Sequence, residues 1–168
     1  MAGDKYLYNN AGTTTEKAAI QTSAGAGDAG KIPALDAAGL LSTTMMPVGI
    51  GADTAAITAS EALSAGDLVN VWNSTGAKVR KADASTSGKE AHGFVLAAVS
   101  SSATATVYFE GNDTGVTGLT PGPQFLSTTP GAATLTAPSG SGNVVQRVGF
   151  ATAATALNFQ SQPPIVLA

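Results

Sequence analysis

Gly25, Gly30 and Lys31 stand at the spacing of a phosphate-binding loop. In such a loop glycine N–H groups wrap the phosphates, the lysine neutralises them, and a following Ser or Thr hydroxyl holds Mg²⁺. Here Ile32 occupies the hydroxyl position and Pro33 follows it. Proline drives the residue before it to extended backbone and so opposes the helix that this loop must open. The preceding TTTEKAAIQTSA also supplies no apolar strand to deliver the loop. Nucleotide binding is not expected, and no other cofactor suggests itself.

The remaining chemistry-bearing residues are sparse. His92 is the sole histidine and precedes an apolar run, with no G-x-S-x-G elbow to complete a nucleophilic triad. Without cysteine there is neither a disulfide framework nor a thiolate site, and one imidazole makes a zinc site unpromising. Asp53, Glu61, Asp67, Asp83, Glu90, Glu110 and Asp113 are scattered at expected turns and strand ends. Glycosidase chemistry needs two carboxyls facing across a sugar, and nothing in this spacing pairs them. GNDTG (111–115) lacks the D-x-D repeat and late glutamate of a calcium loop and reads as a hairpin turn, with Asn112 and Asp113 in left-handed geometry. Trp72, Phe94, Tyr108, Phe109, Phe125, Phe150 and Phe159 are dispersed along the chain, as core pillars are. No enzyme, no catalytic residue and no metal site is expected.

Composition narrows the class. Hydrophobic residues make up 43% of the 168 but aromatics only 5%, so the core must rely on small side chains. Charged residues reach 11%, against roughly 25% in ordinary soluble domains. A net charge of −3 offers no electrostatic footprint for nucleic acid. The basic cluster KVRK (78–81) would be split between two faces of a strand, and reads as a solvated strand edge. No secretory signal and no membrane-length apolar run stands out, so synthesis in a cytoplasm is expected.

Three zones would position these residues. Residues 1–24 carry one apolar trio, Tyr6, Leu7 and Tyr8, in a small polar context; this is an arm ordered against a partner, or a terminus that frays. Residues 25–52 place Ile32, Leu35, Leu40, Leu41, Met45, Met46, Val48 and Ile50 among turn formers, Asp36 with Gly39 and Pro47 with Gly49, without helical or strand period. Those side chains pack either on the main domain or on further copies of the chain. From residue 53 the pattern is strand, turn, strand: DLVNVWN and AKVRKAD about Ser74-Thr75-Gly76, then HGFVLAAV, ATATVYFEG, PQFLSTT and AATLTAP about Pro130-Gly131, VVQRVGFAT, TALNFQ and a final PIVLA. The expectation is all-β: a small antiparallel barrel or sandwich after an extended arm and an irregular attachment segment.

AGKIPALDAAGLLSTTMMP resembles a segment of tailed-bacteriophage structural proteins, G-K-[IL]-x-x-L-[DN]-x-x-G-x-[IL] closing on proline. AGDLVNVWNSTGAKVRKAD, AHGFVLAAV, TATVYFEG, VTGLTPGPQFLSTTPGAATLTAP and NVVQRVGFATAATALNF, in that order, are similar to the small β-barrel module of phage head-decoration and fibre proteins. The resemblance spans about residues 25–168 and implies a capsid decoration, or cement, protein on the virion surface. It implies as partners the major capsid protein and further copies of the chain in a homotrimer, without nucleic acid or membrane. Tyr6, Leu7 and Tyr8 would then touch the capsid, while Ile32, Leu35, Leu40, Leu41, Met45 and Met46 form the oligomer interface and Lys31 lies at the surface or between subunits. A receptor-binding or fibre-tip module is the alternative.

Overall fold

A two-residue turn organises the first described segment. Ala11 (φ 50°) and Gly12 (φ 95°) have the paired positive angles of a type I′ turn, whose twist matches the strands it joins. The Asn9 side-chain oxygen accepts the Gly12 N–H at 2.8 Å. On this turn close β1 (Lys5–Asn10) and β2 (Thr13–Ala18), in unbroken register from Asn10↔Thr13 to Lys5↔Ala18. The expected arm thus takes the form of a hairpin, its second strand helped by the β-branched run Thr13–Thr15. The computed structural model describes residues 5–46 and 52–168, and the chain divides into two compact units, Met1–Gly51 and Ala52–Ala168. Val48, Ile50 and the Pro47–Gly49 turn lie outside the described residues.

Beyond β2 the first unit is irregular but closely bonded. Ile20 forms a parallel bridge with Pro33, receiving the Ala34 N–H at 2.8 Å and donating its own N–H to Ile32 O at 3.0 Å. Asp36 closes its turn as expected: its carbonyl accepts the Gly39 N–H, and its carboxylate accepts those of Ala38 and Leu40. Ser42 caps the short turn Thr43–Met45, and Thr44 Oγ1 accepts the Ser23 N–H at 2.9 Å.

The second unit is all-β, as its spacing of strands and turns implied. β3 (Thr54–Ala59), β4 (Leu68–Asn73), β5 (Ala77–Lys81), β6 (Gly93–Phe94) and β7 (Thr104–Tyr108) close into a barrel in the order β3-β5-β4-β6-β7. Every pair is antiparallel except β3–β5, where Thr58↔Lys78 and Ala59↔Val79 run parallel. The Ser74-Thr75-Gly76 connection joins β4 to β5 as expected. β5, however, is no solvated edge, because closure gives it a neighbour on each side. A second sheet contains β8 (Gly111–Asp113), β9 (Gly122–Leu126), β10 (Ala133–Thr134), β12 (Arg147–Ala153) and β13 (Ala156–Phe159), in the order β10-β9-β12-β13-β8. Between them in sequence, β11 (Val144–Val145) pairs with β14 (Ile165–Val166).

Two apolar clusters hold this unit together. Val69, Val79, Val95, Ala105 and Val107 fill the barrel. Their neighbours Leu68 and Phe94 point the other way and pack with Leu126, Val148, Leu157 and Phe159 of the second sheet. Alternation therefore buries both faces of β4 at its start, which explains why it opens on Leu-Val rather than on apolar-polar alternation. Phe94 stacks on Tyr108 with ring centroids 5.3 Å apart and meets Phe159 at 5.5 Å. Alanines 59, 82, 84, 91, 105 and 151 complete the core. Such small side chains let backbones approach, at the cost of less apolar area buried per residue.

A buried amide ties the barrel to the second sheet's flank. Gln146, only 3% exposed, accepts the Ala91 N–H at 2.8 Å and donates to Ala91 O at 2.9 Å, as a strand neighbour would. Gln146→Leu leaves a buried donor and acceptor without partners, and should cost about 2–4 kcal/mol. Urea denaturation checks this; a midpoint within error of wild type would contradict it.

Candidate interaction surface

The six residues from Lys5 to Asn10 alternate between two faces of the hairpin. Lys5, Leu7 and Asn9 share one face with Thr14, Glu16 and Ala18; Tyr6, Tyr8 and Asn10 share the other with Thr13, Thr15 and Lys17. Tyr6, Leu7 and Tyr8 therefore do not make one patch. Leu7 is 77% exposed beside the Lys5–Glu16 ion pair (2.8 Å), while the Lys17 ammonium sits 4.7 Å over the half-exposed Tyr8 ring on the opposite face.

The residues expected at an oligomer interface also stand free in the single chain. Ile32, Leu35, Leu40, Leu41 and Met46 are exposed and Met45 is half-buried. Among the described residues of the first unit none is buried. Tyr6, Ala19, Ile32, Pro33 and Leu35 line an open groove of about 510 Å³, with Lys5 and Asp36 also on its walls. Bridging by Ile20 and the Asp36 turn sets out these side chains; it does not bury them.

The glycine-rich loop is closed by its own acid. Asp28 fills it: one carboxylate oxygen accepts the Ala24 N–H at 2.6 Å and the other meets Lys31 Nζ at 2.5 Å. These contacts, Lys31 first, hold the Asp28 carboxyl below its ordinary value. Past Lys31 the chain enters the Ile20–Pro33 bridge, the extended course that Pro33 dictates.

In the second unit Asp67 and Asp83 hold turns, while Glu61 bonds a distant strand. Asp67 accepts the Ser64 N–H and pairs with Lys81 at 3.2 Å, Glu61 accepts the Lys81 N–H, and Asp83 accepts the Ser85 N–H. Asp113 departs from the expectation. GNDTG is no hairpin turn: Gly111–Asp113 is the edge strand β8, paired with β13 as Leu157↔Asp113, and only Gly111 of its first three residues has positive φ. Asp113 is fully buried, with one oxygen accepting the Gly115 N–H at 2.9 Å and the other without a partner. Burial raises its pKa from 3.8 to about 6 against that hydrogen bond, and the Asp67 charge adds to the rise. Turn-like composition concealed this residue; only long-range pairing with Leu157 buries it.

His92 is exposed, and its Nδ1 accepts the Val71 N–H at 3.1 Å. Not all aromatics are core pillars. Trp72 is half-buried under the Arg80 guanidinium (4.5 Å), and Phe150, 47% exposed, lies under Arg147 (3.9 Å). Both rings lie on outward-facing strand positions, where an arginine rather than the core covers them. Among the described residues no group of three or more His, Cys, Asp or Glu side chains could hold a metal ion, and no helix is long and apolar enough to cross a membrane.

The architecture is thus a closed barrel with an attached sheet, plus a separate unit that displays apolar side chains. No family model, curated protein or solved structure matches this chain.

Proposed function

We propose that this chain is a capsid decoration protein of a tailed bacteriophage, binding the outer surface of the head as a homotrimer and bridging neighbouring capsomers. One observation carries the reading. Residues 52–168 supply their own core, whereas residues 5–46 form a hydrogen-bonded unit with exposed leucine, isoleucine, methionine and tyrosine and no buried residue. Each such side chain gains about 1.5–3 kcal/mol when fully covered, so the surface is built for burial by another protein surface. Ile32, Leu35, Leu40, Leu41, Met45 and Met46 meet their counterparts in sister copies. Tyr6, Leu7 and Tyr8 reach the shell, and three linked hairpins bind with avidity that one does not have.

Removal of residues 1–18 spares the Ile20–Pro33 bridge and the barrel. The truncated chain should remain a folded oligomer by light scattering and lose binding to undecorated heads in a sedimentation assay. Head binding equal to that of the full chain would overturn the reading. The exposed row Pro123, Phe150, Asn158 and Asn112 across the second sheet favours one other reading, a fibre tip that touches the host surface. Copy number in purified virions separates the two, since decoration needs a copy at every lattice site and a fibre needs few.

A further inference from the structure

The hairpin is an unprotected pair of sheet edges. Among the described residues β1 and β2 pair only with each other, over six consecutive positions, with no bulge and no proline. From Tyr6 to Thr15 there is no charged residue; Lys5, Glu16 and Lys17 cluster at the base. Folded proteins normally guard a free edge with charge, proline or a bulge, because its unpaired N–H and C=O groups template another strand. The type I′ connection makes Asn10–Thr13 the closing hydrogen-bonded pair. Alternation from there turns the N–H groups of Leu7 and Asn9 outward on one edge, and those of Thr14 and Glu16 on the other.

Each face also carries an exposed apolar side chain near the tip, Leu7 on one and Tyr8 on the other. Two hairpins joined edge to edge would cover an edge and leave all four faces in water. A cleft with a sheet edge at its floor covers the edge and both faces together. A contact of this size falls at the small end of interfaces, below about 1,200 Å² in all, and so relies on several copies acting at once.

We infer that the β1–β2 hairpin binds by strand addition, inserting as a tongue into a cleft of the shell protein and extending an open sheet edge there. The shell as partner rests on the function proposed above; strand addition rests on the hairpin alone. The uncharged tip fits a cleft walled by apolar and neutral polar groups, and the basal charges remain at its mouth.

The test uses the full chain and shells assembled from the major capsid protein of the phage that carries it. Asn9→Pro and Thr14→Pro each remove one outward donor, one per edge, without removing a backbone bond between β1 and β2. Asn9→Ala, which also loses the side-chain bond to the Gly12 N–H but keeps its own N–H, is the control for the first and should bind as wild type. One of the two proline variants should weaken shell binding about tenfold or more, and the other should bind nearly as wild type. Hydrogen exchange on the wild-type chain gives a readout that does not depend on the variants. On shell binding, either Leu7 and Asn9 or Thr14 and Glu16 should gain at least about tenfold protection. If wild type binds shells and none of these four amides slows, strand addition is wrong while the shell reading stands. If wild type binds no shells, the shell reading fails. Protection of the same amides in concentrated protein without shells would assign the edge to a second copy and overturn the cleft.

Discussion

Gly149→Ala is expected to destabilise the second unit by at least about 4 kcal/mol, a large share of the roughly 5–15 kcal/mol that holds a domain folded. β12 lies between β9 and β13, and its register against β9 slips by one residue between Arg147 and Gly149. The slip is a bulge: Val148 turns into the core, and Gly149 takes φ +144° to bring the strand back into register. A side chain at that angle is strained in any surroundings. Here a Cβ would also fall on the carbonyl oxygen of Asn158 and press toward the Gln160 N–H. Neither group can retreat, because β13 is paired on both sides and the Gln160 N–H is bonded to Val148 O at 2.9 Å. Gly88→Ala is the control, with φ +86° but nothing within 4 Å of the added carbon, and should cost only about 1–2 kcal/mol. Equal urea midpoints for the two variants would show that the bulge yields and that backbone angle alone matters.

That bulge illustrates what the amino-acid sequence reveals and what it withholds. Local signals were readable because turn chemistry acts over a few residues. Ser74-Thr75-Gly76 joins β4 to β5, Pro130-Gly131 joins β9 to β10, and Asp36 with Gly39 folds its loop. Long-range contacts were not readable. The parallel meeting of β3 and β5 that closes the barrel, the β11–β14 pair, and the clamp of Gln146 on Ala91 each depend on segments far apart in the chain. Alternation marks not only the strands after residue 53 but also Lys5–Asn10. Applied there, it separates Leu7 from Tyr6 and Tyr8, and Ala11-Gly12 before three threonines is the turn signal that would have disclosed a hairpin. Exposure of Ile32, Leu35, Leu40, Leu41 and Met46 could not be read from residue type, since an irregular apolar stretch looks the same whether it packs inward or outward.

Asp113→Asn should make the chain more stable at pH 8 and remove one component of its pH dependence. The folded chain holds the Asp113 proton up to about pH 6, and the unfolded chain releases it near 3.8. Between those values the folded state binds more protons, so stability falls as pH rises from about 4 to about 7. A shift of this size is worth at most about 3 kcal/mol, and relaxation around the buried carboxylate reduces the expected effect to about 2. The cause is geometric. Desolvation by the core around β8 opposes charge, the single Gly115 N–H compensates only in part, and Asp67 adds a second negative charge. Asp67 cannot move aside: its carboxylate is bonded to Ser64 N–H and Lys81 and lies against Gly131, where an added Cβ would meet its Oδ1 at 2.5 Å. Asparagine keeps the oxygen that accepts the Gly115 N–H and places an uncharged NH₂ where the unpartnered oxygen stood. Urea midpoints at pH 5 and pH 8 measure the effect as the wild-type value minus the variant value. That difference should already be negative at pH 5, where the unfolded chain has released the proton, and about twice as large at pH 8. A variant that is less stable at pH 8 would mean that the carboxylate is stabilised in place by a partner, and that its burial carries no cost to the fold.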